Sequence, residues 1–291
     1  MGGGLYSESR AGTTATTFSK KSQSEIFTER NINNAMDPHG VTMRESRDSD
    51  EHPNSLAILL GIDVTGSMGI IPEYLVKQGL ANLMSNIIKG GNSDPQMMLM
   101  GIGDTEYDES PLQIGQFESS DELMNHWLTK LYLEGGGGPN FGESYLLAWM
   151  FAAMHTSIDC YEKRQIKGYL FTIGDEPTLI DVPKNILKKI MGASTGQYND
   201  FTASQLLEMA RKTYNVYHVH VKETRSGSRQ AVINNWIRLI GESNLIIVNR
   251  KEDIADAIAK TINSNPSIDQ INSNNIGDNS NKVKDEEVHL R

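Results

Sequence analysis

The run Leu56-Ala57-Ile58-Leu59-Leu60-Gly61-Ile62 puts six apolar residues into seven positions and then stops at an acid, Asp63. An apolar run without polar alternation is what a strand covered on both faces requires, and such strands belong to parallel sheets with helices on either side. Thr65 and Ser67 follow Asp63 at alternate positions, in a turn that contains Gly66 and Gly69. Hard divalent cations take oxygen ligands, and open α/β sheets bind ligands beyond the carboxyl ends of their strands. The plainer reading of the same residues is a strand followed by an N-cap serine.

The rest of the chain repeats the strand-helix alternation. Residues 70–88 carry apolar groups at three- and four-residue spacing, with Pro72 in the first turn and Gly90-Gly91 as a stop. Residues 97–102 read as a second buried strand and 112–117 as a short edge strand. Ser120 caps a helix over about 121–131. After Gly135-Gly136-Gly137-Gly138 comes a largely apolar helix over about 143–158. Residues 167–173 form a strand that again ends near an acid, Asp175. Helices near 183–190, 202–212, 231–240 and 253–262 alternate with strands at 216–221 and 245–248. The expected fold is α/β: a Rossmann-like three-layer α/β/α domain with a mostly parallel central sheet and one short antiparallel edge strand.

Residues 1–52 are rich in Gly, Ser, Thr, Asn and charged groups and are expected to form a flexible N-terminal arm, the alternative being a segment docked across the domain or a neighbouring subunit. The folded domain is expected over 53–262, and a disordered polar tail over 263–291.

The 291 residues carry 37 acids against 27 bases, a formal net charge of -10, which disfavours a broad nucleic-acid footprint. No apolar run approaches the roughly 18–20 residues of a membrane span, and no signal-peptide core is present. The expected setting is cytoplasmic, in a bacterial or phage-infected cell, with a virion as the alternative. The single cysteine, Cys160, excludes a disulfide-stapled scaffold. His218 and His220 share one face of a strand, but two histidines without a third ligand point to a structural role. His155 and the three tryptophans fall in helices at positions that suit packing. The glycine tract lacks the G-K-S/T of a phosphate loop.

In a parallel sheet, the strands ending at Asp63 and Asp175 place both acids on one edge, where Thr65 and Ser67 add hydroxyls. The D-x-T-G-S-M loop after an apolar strand resembles the metal-ion-dependent adhesion site of von Willebrand factor type A domains. It is closest to the bacterial, phage and alpha-kinase-associated branch with a DTTGSM-like loop. Gly101-Ile102-Gly103-Asp104, the segment 116–123, the tract 135–144 and Tyr169-Leu170-Phe171-Thr172-Ile173-Gly174-Asp175-Glu176-Pro177 resemble further landmarks of that branch, in the same order.

The resemblance implies metal ligation by Asp63, Thr65, Ser67 and Asp175. The third loop departs from the common pattern because residues 135–144 contain no threonine. Glu143 is the favoured substitute, and Asn140 and Ser144 are alternatives. Asp104 is an outer-shell or second-site candidate. The implied ion is Mg²⁺, with Mn²⁺ or Ca²⁺ able to substitute, and the implied function is metal-dependent binding of an acidic group on a partner protein. A homo-oligomer is compatible with this. Two other readings stand beside it: a structural assembly component of a phage particle or bacterial conflict system, and a metal-dependent phosphoester hydrolase. The second is disfavoured by the absence of Lys or Arg in the metal loops.

Overall fold

Each apolar run has two apolar faces to cover, so the runs pair side by side and helices close over both surfaces. The structure, a computed structural model, describes residues 6–7, 16–66, 68–136 and 142–265. Six strands form the central sheet: β1 (Leu56–Asp63), β2 (Pro95–Ile102), β3 (Leu112–Ile114), β4 (Gly168–Gly174), β5 (Tyr214–Val221) and β6 (Leu245–Val248). Their order is β6-β5-β4-β1-β2-β3. All neighbours are parallel except β3, which runs antiparallel to β2 at the edge. This is the three-layer, Rossmann-like arrangement expected from the sequence.

The alternation along β1 shows why the run is uninterrupted. Leu56, Ile58, Leu60 and Ile62 enter one core cluster, while Ala57 and Leu59 enter the other. The first cluster is closed by α1 (Ile70–Tyr74), α2 (Leu80–Lys89), α3 (Asp121–Thr129) and α8 (Ile254–Asn263). The second is closed by α4 (Leu146–Met154), α5 (Lys184–Met191), α6 (Ala203–Ala210) and α7 (Gln230–Ile240). Helix α4 is apolar on every side because it lies between the sheet and α6, with seven of its residues buried.

Three expectations are corrected. The helix over 70–88 is not uniform: a π-helical segment, Leu75–Gly79, joins α1 to α2. At Gly79 a Cβ would come within 2.8 Å of the Tyr74 ring, so glycine leaves room for that ring. The helix expected over 143–158 is shorter, and Thr156–Ile158 is instead a strand paired in parallel with Arg44–Ser46.

That pairing belongs to the third correction, the N-terminal arm. Ile26, Phe27 and Met36 are buried in the domain core. Ile114 of the edge strand donates its N–H to the Met36 carbonyl at 2.9 Å, which covers part of an otherwise open edge. Arg47 pairs with Asp159 at 2.8 Å, and Arg164 with Asp48 at 2.7 Å. Residues 22–52 are therefore a strap docked across the domain. A few anchors inserted one at a time suffice for this, although the polar average composition conceals them. The tail beyond residue 265 lies outside the described residues.

Candidate metal centre

Register brings the acids to one edge. Ile62 of β1 pairs with Ile173 of β4, and Asp63 pairs with Ile102 of β2. Asp175 and Asp104 each lie two residues beyond those partners, so three neighbouring strands deliver one carboxyl group apiece past the same end of the sheet. Glu143 arrives from the segment that leads into α4. Its N–H donates to Pro177 O at 2.9 Å, its carbonyl accepts from Leu179 N–H at 2.9 Å, and the next residue, Ser144, donates its N–H to Gly103 O at 3.0 Å. Residues 143–144 thus bridge the loops that follow β4 and β2. Asp63, Asp104 and Asp175 are fully buried, and Glu143 is 6% exposed.

Asp63 is held through both carboxylate oxygens. Oδ1 accepts from the Thr65 N–H at 2.9 Å and the Thr65 hydroxyl at 2.6 Å, and Oδ2 accepts from the Tyr145 hydroxyl at 2.6 Å. Asp175 Oδ2 accepts from Ser226 N–H at 3.2 Å. Asp104 Oδ1 accepts from Glu106 N–H at 2.8 Å, whereas its buried Oδ2 has no hydrogen-bond partner among the described residues. Glu143 Oε2 is likewise buried and unpartnered. Ser144 is committed to its own loop: Oγ accepts from Thr105 N–H at 2.9 Å and donates to Thr105 Oγ1 at 3.2 Å.

Burial pushes the Asp63 carboxyl up to about 7, with Asp175 adding to the rise while the Thr65 and Tyr145 hydrogen bonds oppose it. Burial also pushes Glu143 up to about 10, reinforced in turn by Asp63, Asp104, Asp108 and Glu176. The charged groups that move Glu143 most are all acids. Arg229 is 3.6 Å from Glu176, but it is half-exposed and engages only that residue's outer carboxylate oxygen. Such a cluster stays partly protonated or acquires a counter-charge.

Glycines set the spacing. Gly66 donates its N–H to Gly136 O at 3.1 Å, and a Cβ on Gly66 would stand 3.0 Å from Gly135 O. The first loop and the glycine tract therefore meet backbone to backbone. At Gly174 a Cβ would fall onto the Tyr145 hydroxyl, so only glycine leaves the path from Tyr145 to Asp63 open.

The structure brings Asp63, Thr65, Glu143 and Asp175 into one electrostatic cluster with Asp104 beside it. Ser67 and Asn140 lie outside the described residues. Among the described residues no group of three or more His, Cys, Asp or Glu side chains forms a ready-made metal cage. His218 and His220 serve packing. His218 stacks on Trp236 with centroids 3.6 Å apart and its Nδ1 lies 2.9 Å from Thr172 Oγ1, while His220 donates from Nε2 to Gly227 O at 2.8 Å. Burial holds both below the ordinary histidine range.

Sequence reasoning missed Tyr145, Ser226 and Thr178. Tyr145 meets the edges of His218 and Trp236, which fixes its ring. In sequence it is one more aromatic at the head of an apolar helix and carries no distinguishing signal. Thr178 bridges to Glu143 and accepts from Leu146 N–H at 3.2 Å. A threonine is thus brought beside the third loop from the far side of β4.

The sequence matches no family model and no curated protein. Several solved structures share the general course of the chain. The pilus adhesin SpaC from Lactobacillus rhamnosus GG, in its open conformation, is 12% identical with a TM-score of 0.47, over 76% of this chain and 31% of that one. The VWA domain of SpRpn10 is 13% identical with a TM-score of 0.42, over 74% and 97%. An aerotolerance-related membrane protein from Bacteroides fragilis is 11% identical with a TM-score of 0.41, over 72% and 100%. The chain thus spans about a third of the adhesin, and likenesses at this level assign it no activity, ligand or partner.

Proposed function

We propose that this chain is a von Willebrand factor type A-like domain that binds a partner protein through a divalent cation. Mg²⁺ is the expected ion, with Mn²⁺ or Ca²⁺ able to replace it. Asp63, Thr65, Asp175 and Glu143 would hold it together with Ser67, whose part rests on the loop motif alone. The observation that carries this reading is Glu143: a buried carboxyl with an unpartnered oxygen whose largest charged influences are other acids. A hard cation fits that donor set, since it takes oxygen ligands and supplies the missing positive charge. When bound, it would offer an open position to a carboxylate of the partner.

The shape of the edge supports protein binding. Ile70, Tyr107 and Ile180 are large apolar residues that remain exposed, and they follow β1, β2 and β4 at the same end of the sheet. Apolar groups around a polar centre are the anatomy of a recognition surface. Affinity capture from lysate tests the reading. Wild type in Mg²⁺ is expected to retain a partner that is lost with EDTA and with Asp63→Ala, while circular dichroism shows the fold intact. Equal recovery in all three samples would overturn it.

A further inference from the structure

Beside this edge, three segments remote in sequence enclose a cleft of about 220 Å³: the strap around residues 32–39, the loop 105–112 after β2, and one face of α5. Ile186 and Ile190 give it an apolar wall. Asp37 and Glu109 line it with them, beside one lysine, Lys189, and a histidine, His39; Asp108 also borders it, but its carboxylate oxygens lie against Gly103 and Gly136, towards the glycine tract. Asp37 and Glu109 give the cleft two negative charges against the one positive charge of Lys189.

The volume decides what enters. Sites for cofactors and drug-sized ligands run from roughly 300 to 1,000 Å³, so this cleft suits a single long side chain. Its charge calls for a cation, and its apolar wall calls for a stem that packs. Asp37 comes from the strap, whereas Glu109 comes from the β2 loop, so the negative groups stand on separate segments. A guanidinium serves several acceptors at once from one plane and sheds water more readily than an ammonium. The Asp37 carboxylate is oriented by the backbone: Oδ1 accepts from His39 N–H at 2.8 Å.

A protein is the source of that side chain. Tyr107 adjoins Asp108 in the same loop and is 51% exposed, and Ile180 on the neighbouring loop is 81% exposed. A free amino acid would leave both uncovered. We propose that the cleft receives an arginine side chain of the partner protein docked on this edge. The inference rests on the edge being a protein-binding surface, but it does not require the cation.

The test is a titration of the isotope-labelled full chain in EDTA, followed by amide NMR, so that it fails separately from the metal reading. The probes are acetyl-Gly-Arg-Gly-amide, the same peptide with citrulline, and free arginine. The arginine peptide is expected to shift signals from residues 36–40 and 105–112. Citrulline, which keeps the shape without the charge, is expected to bind at least about five-fold more weakly, as is the arginine peptide to the Asp37→Asn, Glu109→Gln double variant. Equal shifts from both peptides, unchanged binding by the double variant, or shifts elsewhere would overturn the site. A response to free arginine without one to the peptide would overturn the protein source.

Discussion

The Tyr145 hydroxyl donates to Oδ2 of Asp63 at 2.6 Å, tying the head of α4 to the end of β1 inside the sheet edge. Both groups are buried, so the bond satisfies a carboxylate oxygen that water does not reach. Tyr145→Phe keeps the ring packing against His218 and Trp236 and removes only the donor. The expected cost is about 1–3 kcal/mol in urea unfolding, because a buried acceptor is left unpaired. It should also raise the Asp63 carboxyl further, since this hydrogen bond holds it down.

Gly174→Ala addresses the same contact from the other side. The added methyl falls onto the Tyr145 hydroxyl, and moving that ring disturbs the bond to Asp63. A loss of about 1–3 kcal/mol is expected, as for other overpacked cores. In the Tyr145→Phe background the same substitution should cost less, because the crowded oxygen is gone. A double-mutant cycle measures that coupling, and strict additivity would contradict the contact.

Protonation of the cluster makes stability depend on pH in a definite direction. Glu143 and Asp63 have raised values in the fold, so the native state binds more protons than the unfolded chain above the ordinary carboxylate range. Their contribution is fully present below about pH 4 and is lost as pH rises, through about 7 for Asp63 and about 10 for Glu143. In EDTA the melting temperature should therefore fall from about pH 5 towards pH 9. Glu143→Gln should flatten the alkaline part of that fall. A melting temperature that rises over this range in wild type, or a fall unchanged in the variant, would remove Glu143 from the account.

The strap yields a prediction that a flexible arm does not. Met36 is fully buried and its carbonyl accepts from the edge strand at Ile114. Met36→Ala should cost about 2–5 kcal/mol, in the range of buried large-to-small changes. Chemical denaturation measures it, and a change near zero would return residues 22–52 to the status of an arm.

The central sheet was legible because its strands are covered on both sides: the runs at 56–62 and 97–102 admit no polar alternation, and each acid stands where a run stops. Asp63 and Asp175 could be placed on one edge from that alone. The strap was not legible, because Ile26, Phe27 and Met36 insert singly among polar residues and leave no periodicity to read. The strand Thr156–Ile158 escaped for a related reason, since its partner, Arg44–Ser46, lies on the strap. Tyr145 and Thr178 became visible only when folding set them against Asp63 and Glu143. Nothing in their local spacing separates them from core and loop residues.

The central claim is that the carboxylates at this edge share one divalent cation, and a titration with Mn²⁺ followed by electron paramagnetic resonance tests it most directly. Wild type should bind one ion per chain, Mg²⁺ should compete for it, and Asp63→Asn and Asp175→Asn should each weaken binding by at least about ten-fold. Absence of binding at millimolar Mn²⁺, or binding that both variants leave untouched, would contradict the account.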